Sequence, residues 1–476
     1  MSKTILRERG IKPKRFVRGG QKAAGLRRLR RPSAYDMIKT TGHIDSPEQA
    51  YGLLQKRLAQ KVQGAPGSPT LMKILSMLFS PEEAELASRF PHNLTSLDTL
   101  SKNLKISKDE LSSKLTDMAH RGVVVDIEHD GQRYYMLPPV VIGLFEFTFM
   151  RMRPDMPMKE LAQLFEEYFH ENKADFGHTL LEGNTSLFRT LVREEAIPMD
   201  TYTEVLDWER ATNIVSSATA LAVGICQCHH TAKLLERACN KPEEVCLTFN
   251  YGAESLARNG IARSITKNEA MTILAQCKES GLAQTADNVK NKVTFICNCC
   301  GCCCHVMRGI KTLDYRPGII TSNFVMEVDL TKCKGCGKCA KACPVEAISI
   351  NKKIEGDREI KWAVHNEQAC LGCGVCTTVC KTGAASLKSR DQRVLVPETV
   401  FDQRVMMAIE RGKLTDLIFD DPEKLSHRAL GRILGALEKS NPFKAVMAAQ
   451  SLNSSFMKRI VKKAKNKARD LTNILS

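Results

Sequence analysis

The chain has 476 residues, 43% hydrophobic and 26% charged, enough for about three domains of ordinary size. Its formal net charge of +17 is confined to the ends: residues 1–31 carry twelve Lys/Arg against Glu8, residues 458–470 carry seven against Asp470, and the remainder is neutral. No secretory leader and no run of about eighteen apolar residues occurs, which argues against export or a membrane span and sets the expectation of a soluble, cytoplasmic protein.

Residues 1–66, with `RFVRGG`, `LRRLRRPS` and `QGAPGSP`, read as a basic arm and linker. Both basic ends fit solvated tails or docking surfaces for an acidic protein partner or an anionic membrane surface, with nucleic acid the weaker fit. In 67–140, `TLMKILSMLF`, `PEEAELASRF`, `SLDTLSKNLKI` and `SKDELSSKLTDMAHRG` predict four short helices. Ser107 followed by Glu110 predicts a capping box on the last of them. `VVVDIEH`, a turn at `DG`, and `QRYYML` predict a β-hairpin. Helices followed by such a hairpin resemble the winged-helix fold. A DNA-reading helix should be basic, yet Lys108, Lys114 and Arg121 are balanced by Asp109, Glu110 and Asp117, which favours a protein-contact or structural role.

Residues 141–322 read as a helical, cysteine-rich domain. `PPVVIGLFEFTFMR` and `MKELAQLFEEYFHENK` have helical spacing, and one long helix is expected from Tyr202 to the residues before Cys226. The uncharged stretch from Ala211 to Ala232 comes nearest to a membrane span, but it is rich in Ser, Thr, Asn, Gln, His and Cys. Residues 391–476 return to helix and end in a basic amphipathic tail. The fold class expected is multidomain and mainly α, with small α+β parts.

All nineteen cysteines lie between Cys226 and Cys380. In a chain without a leader they point to a reducing compartment and to metal binding rather than disulfides. `CKGCGKCAKACP` (Cys333, Cys336, Cys339, Cys343) is followed by `CLGCGVCTTVCK` (Cys370, Cys373, Cys376, Cys380). Soft thiolates at this spacing suit sulfide-bridged iron, and Gly335, Gly337, Gly372 and Gly374 permit the tight wrap it needs. Zinc sites usually draw two and two cysteines across a longer gap, which two unbroken quartets fit poorly.

The motifs resemble the bacterial two-[4Fe-4S] ferredoxin family over residues 323–390. The resemblance implies an α+β fold in which the fourth cysteine of each motif crosses to the other cluster. It therefore implies one [4Fe-4S] cluster on Cys333, Cys336, Cys339 and Cys380, and a second on Cys370, Cys373, Cys376 and Cys343. `EAISI` and `EIKWAV`, joined at `EGD`, would form one of its hairpins. Lys381 stands where the family's second motif has proline.

Upstream lie Cys226, Cys228, Cys239, Cys246 and Cys277, then `CNCCGCCCH` with Cys297, Cys299, Cys300, Cys302, Cys303, Cys304 and His305. Adjacent thiols are too reactive for an ordinary apolar core. A further Fe–S cluster or zinc centre is expected on ligands from these groups, with a thiol/disulfide switch as the alternative. Cys277, alone in the helical pattern `NEAMTILAQCKESG`, reads as a small buried hydrophobe, and His229, His230 and His305 are candidate ligands by adjacency only.

There is no Walker loop, no G-x-G-x-x-G after a strand and no C-x-x-x-C-x-x-C, and no residues are marked as catalytic. The function expected is transfer of single electrons to or from a redox partner, in the manner of anaerobic metabolism. The alternatives are a redox-sensing winged-helix regulator and the electron-input subunit of a larger reductase.

Overall fold

The computed structural model describes residues 46–170, 176–181, 183–197, 206–313, 318–355, 357–424 and 426–427. The basic ends lie outside them, as do residues 428–476 of the helical C-terminal region expected from the sequence. Three Ser-Pro steps open the first three helices: Ser46, Ser68 and Ser80 cap α1 (Pro47–Ala59), α2 (Pro69–Leu78) and α3 (Pro81–Ser88). Each serine oxygen accepts a backbone N–H of the first turn, and proline sits where no donor is required. α1 falls in the stretch expected to be linker. Its Ala50, Leu54 and Leu58 are fully buried, so 47–59 belongs to the core and not to the arm.

β1 (Thr95–Ser96), α4 (Leu97–Leu104), α5 (Lys108–His120), β2 (Val125–His129) and β3 (Gln132–Met136) follow, with the three strands ordered β1-β3-β2 and antiparallel. The hairpin turns at Asp130–Gly131, both at positive φ, as an Asp-Gly turn permits. The capping box expected at Ser107 is half formed. Ser107 Oγ accepts from Glu110 N at 3.3 Å, but the Glu110 carboxylate takes Lys114 Nζ at 2.7 Å; a complete box forms at Ser80 and Glu83. Then come α6 (Phe145–Phe149), α7 (Met158–His170) and α8 (Phe176–Leu181).

The region expected to be helical is instead built on a seven-stranded sheet. Its strands are β4 (Phe188–Thr190), β5 (Leu221–Ile225), β6 (Glu244–Phe249), β7 (Arg263–Ser264), β8 (Ala283–Asp287), β9 (Phe295–Cys299) and β10 (Ile319–Ile320). They are ordered β10-β4-β8-β9-β6-β5-β7, antiparallel except for β10 beside β4. Helices α9 (Ala211–Ser217), α10 (Gln227–Leu234), α11 (Asn250–Arg258), α12 (Lys267–Glu279) and α13 (His305–Leu313) fill the connections. The single helix expected from Tyr202 resolves, from residue 206 on, into a 3-10 turn at Asp207–Glu209, α9 and β5. `LAVG` is buried on both faces, and a short run of that kind has no period by which to tell strand from helix.

The hairpin of β2 and β3 is docked onto this sheet domain. Asp126 on β2, only 4% exposed, accepts from Ser255 Oγ at 3.0 Å, Arg258 Nε at 2.9 Å and Asn259 Nδ2 at 2.6 Å, all on or just after α11.

Downstream, β11 (Phe324–Val328) pairs antiparallel with β14 (Ala385–Ser389), and β12 (Ile348–Glu355) with β13 (Arg358–His365), the hairpin expected there. Short helices α14 (Lys338–Ala342) and α15 (Val375–Thr378) follow the cysteine loops. α16 (Val400–Glu410) and α17 (Leu414–Ile418) return to the start of the described chain, where Lys413 Nζ donates to Ala59 O at 2.9 Å and Lys61 O at 2.7 Å. Among the described residues no helix is long and apolar enough to cross a membrane.

Candidate metal centres

The two ferredoxin-type loops wrap alike. Gly335 and Gly337 in the first, and Gly372 and Gly374 in the second, all have positive φ. A Cβ on Gly372 would lie 2.1 Å from Phe324 O, and one on Gly335 would lie 2.2 Å from Lys361 Cβ, so only glycine lets these loops close on the strands beside them. Backbone N–H groups point at sulfur: Ala363 at Cys333 (3.3 Å), Ala347 at Cys343 (3.2 Å) and Ala385 at Cys380 (3.4 Å). Such donors offset the negative charge of an iron–sulfur centre, so the loops fit the group their spacing implies.

The thiols gather across the motifs. Cys339 is pushed up by burial and then by the charges of Cys333 and Cys380. Cys373 is pushed up to about 12 by burial, with Cys343 and Cys370 adding to it. Cys376 is raised by burial and by Cys373, Cys370, Cys343 and Cys339. Cys370, Cys373 and Cys376 are buried, whereas Cys336 is exposed and Lys332, Lys334, Lys338 and Lys341 around it face solvent.

Upstream, the sheet explains why distant cysteines meet. β5 and β9 leave the sheet, and β6 enters it, at one end: β5 runs into Cys226, the loop carrying Cys239 leads into β6, and β9 runs out through Cys299 into Cys300–Cys304. Two thiol groups result. In the first, the sulfurs of Cys239, Cys300, Cys302 and Cys303 all lie within 4.8 Å of one another. The measured edges are 3.9 Å (Cys239–Cys300), 3.7 Å (Cys239–Cys303) and 3.8 Å (Cys302–Cys303). A tetrahedron with metal–sulfur bonds of about 2.3 Å has edges of about 3.8 Å, so this quartet has the span of one metal ion rather than of an iron–sulfur cube. Cys303 N–H donates to Cys300 Sγ at 3.3 Å, and the hydrogen bonds from Cys303 hold the Cys300 thiol below the ordinary thiol range against the opposing effect of burial.

In the second group, Cys228 meets Cys226 and Cys304, Cys304 meets Cys299 at 3.6 Å, and Cys299 leads through Cys297 to Cys246. Cys277 belongs to neither. It is fully buried in α12, and burial pushes its thiol up to about 12, as suits a small hydrophobe. His229 and His230 each direct one ring nitrogen at a backbone oxygen, of Cys239 and Phe149, both at 2.8 Å. His305 packs against Phe145 and Phe169, with Glu166 at 3.8 Å.

Two contacts missed in the sequence tie the ferredoxin segment to the sheet domain. Gly301, between Cys300 and Cys302, lies against Pro344, which follows Cys343; a Cβ on Gly301 would sit 2.6 Å from Pro344 O. Arg193 receives no motif signal, yet its N–H donates to Cys373 O (3.3 Å) and its guanidinium to Thr378 Oγ1 (2.8 Å) and to the carbonyls of Lys278 and Leu282 (3.0 and 2.9 Å).

Residues 332–384 match the 4Fe-4S dicluster domain family. No curated protein and no solved structure matches the chain. The match supports a ferredoxin-like, iron–sulfur-binding dicluster domain within the chain, and the quartet adds a candidate metal site upstream of it.

Proposed function

We propose that the chain carries single electrons between a redox partner protein and its own centres. One [4Fe-4S] cluster is held by Cys333, Cys336, Cys339 and Cys380, a second by Cys370, Cys373, Cys376 and Cys343, and one metal ion by Cys239, Cys300, Cys302 and Cys303. The clusters supply one-electron reduction and oxidation. The observation that carries the reading is the match of residues 332–384 to the 4Fe-4S dicluster domain family, whose two cysteine loops wrap alike through glycines at positive φ. The exposed first loop, ringed by lysines, is the electron entry face for an acidic partner, and Pro344, next to the Cys343 assigned here to the second cluster, abuts Gly301 of the tetrathiolate segment.

The helices and hairpin of 67–140 have the order of a winged helix, and their placement supports a structural role. Lys108 pairs with Asp98 at 2.8 Å, Lys114 with Glu110 at 2.7 Å, and Arg121 with Asp117 at 2.9 Å and with Glu83. With these cations paired and Asp126 of the hairpin engaged by α11, little is left to neutralise phosphate. The test is a redox titration followed by EPR. Two reduced-cluster signals are expected, one of them abolished by Cys373→Ser. A Cys373→Ser chain that keeps both would remove the proposed ligand assignment.

A further inference from the structure

The six thiols of Cys226, Cys228, Cys246, Cys297, Cys299 and Cys304 lie outside the one-metal quartet, and all six line a cavity of about 220 Å³ that Cys300 and Cys303 of the quartet also border. Protein interiors pack at crystal density, and an unfilled volume of that size forfeits the contacts of every group around it. The wall also holds two buried acceptors without partners, Gln227 Oε1 and His229 Nδ1, on residues 7% and 4% exposed. His229 Nε2 is 2.8 Å from Cys239 O, which can only accept, so Nε2 bears the proton and Nδ1 of the neutral ring is a bare lone pair. A metal-binding histidine is held in this way, its second nitrogen donating to a backbone carbonyl. Cys226 and Cys304 directly precede the first residues of α10 and α13, so the positive ends of two helices face the sulfurs. Soft donors, unpaired acceptors and positive helix ends together describe a seat for a metal centre with anionic ligands.

Six thiols exceed the four that one tetrahedral ion takes, and a single ion needs no cavity. We propose that this cavity holds a polynuclear iron–sulfur cluster, ligated by thiolates of the six, as a centre separate from the quartet of Cys239, Cys300, Cys302 and Cys303. The proposal rests on the reading of the chain as an iron–sulfur protein and adds a centre to it.

The experiment compares iron, zinc, acid-labile sulfide and EPR in anaerobically purified full-length chains: wild type, Cys228→Ser with Cys304→Ser, and Cys302→Ser. The double variant should lose about a third of the sulfide and a matching amount of iron, the share of one cube among three, while both ferredoxin signals persist. Cys302→Ser should lose one metal atom and no sulfide. A folded double variant with wild-type iron and sulfide overturns the proposal. Should that variant fail to fold, the wild type decides. More than about eight sulfides per chain supports the extra cluster, and eight or fewer overturns it. Absence of ferredoxin signals from a wild-type chain whose sulfide depends on Cys228 and Cys304 would contradict the electron-transfer reading and leave this site standing.

Discussion

Gly301→Ala probes the junction between the cysteine-rich segment 297–304 and the ferredoxin segment. The new Cβ would stand 2.6 Å from Pro344 O, 3.1 Å from Pro344 Cα and 3.2 Å from Pro344 C, where ordinary contact begins at 3.4 Å. The two backbones must therefore part by about 0.8 Å, the difference between 3.4 and 2.6 Å. Neither yields easily, because both neighbours of Gly301 are proposed metal ligands and Pro344 follows Cys343. Overpacking of this kind costs about 1–3 kcal/mol, a fall in Tm of about 2–12 °C for a domain of about 150–250 residues. Gly52→Ala is the control. Its Cβ meets nothing within 4 Å and it lies inside α1, so it should stabilise by about 0.5–1 kcal/mol. Anaerobic calorimetry reads stability, and stopped-flow reduction reads transfer between the second ferredoxin cluster and the upstream centres. A Gly301→Ala chain as stable as wild type, with unchanged kinetics, would refute a tight junction at Pro344.

Glu146 is 7% exposed, and burial pushes its carboxyl up to about 7 despite the N–H of Gly143 at 2.7 Å. The folded chain keeps this proton while the unfolded chain releases it near 4.5, so stability should fall as pH rises from about 4.5 to 7, by up to about 3 kcal/mol, and level off above. Glu146→Gln should remove that component from denaturant melts across the window; an identical pH profile would contradict it. Replacing Lys334 and Lys338 with Gln should lower the potential of the exposed cluster by roughly tens of millivolts at most, and less at high salt, as a low-salt titration would show. Cys302→Ser should leave the quartet short of its metal ion as purified, and metal content equal to wild type would remove Cys302 from it.

The ferredoxin segment was legible because its chemistry is local: eight cysteines and four glycines at fixed spacing carry the loops, and the strands between alternate. The upstream centres were legible only as a set. `CNCCGCCC` announces thiol chemistry, but its division into a quartet and a string of six follows from strand order, which places Cys239 beside Cys300 and Cys246 beside Cys297. That order was hidden because `LAVGI` and `AQTAD` are buried on most faces and show neither a helical nor a two-residue period. α1 was misplaced for the opposite reason. Its Ser-Pro cap was present, but the Arg- and Gly-rich residues before it set the reading of the whole segment. Arg193 and Gly301 have no sequence signal, since each acts through a partner remote in the chain.

Iron and acid-labile sulfide measured together on anaerobically purified protein test the central claim most directly. The account predicts at least about eight of each per chain, with the further sulfide of the cavity centre above that. Zinc bound without sulfide would contradict it.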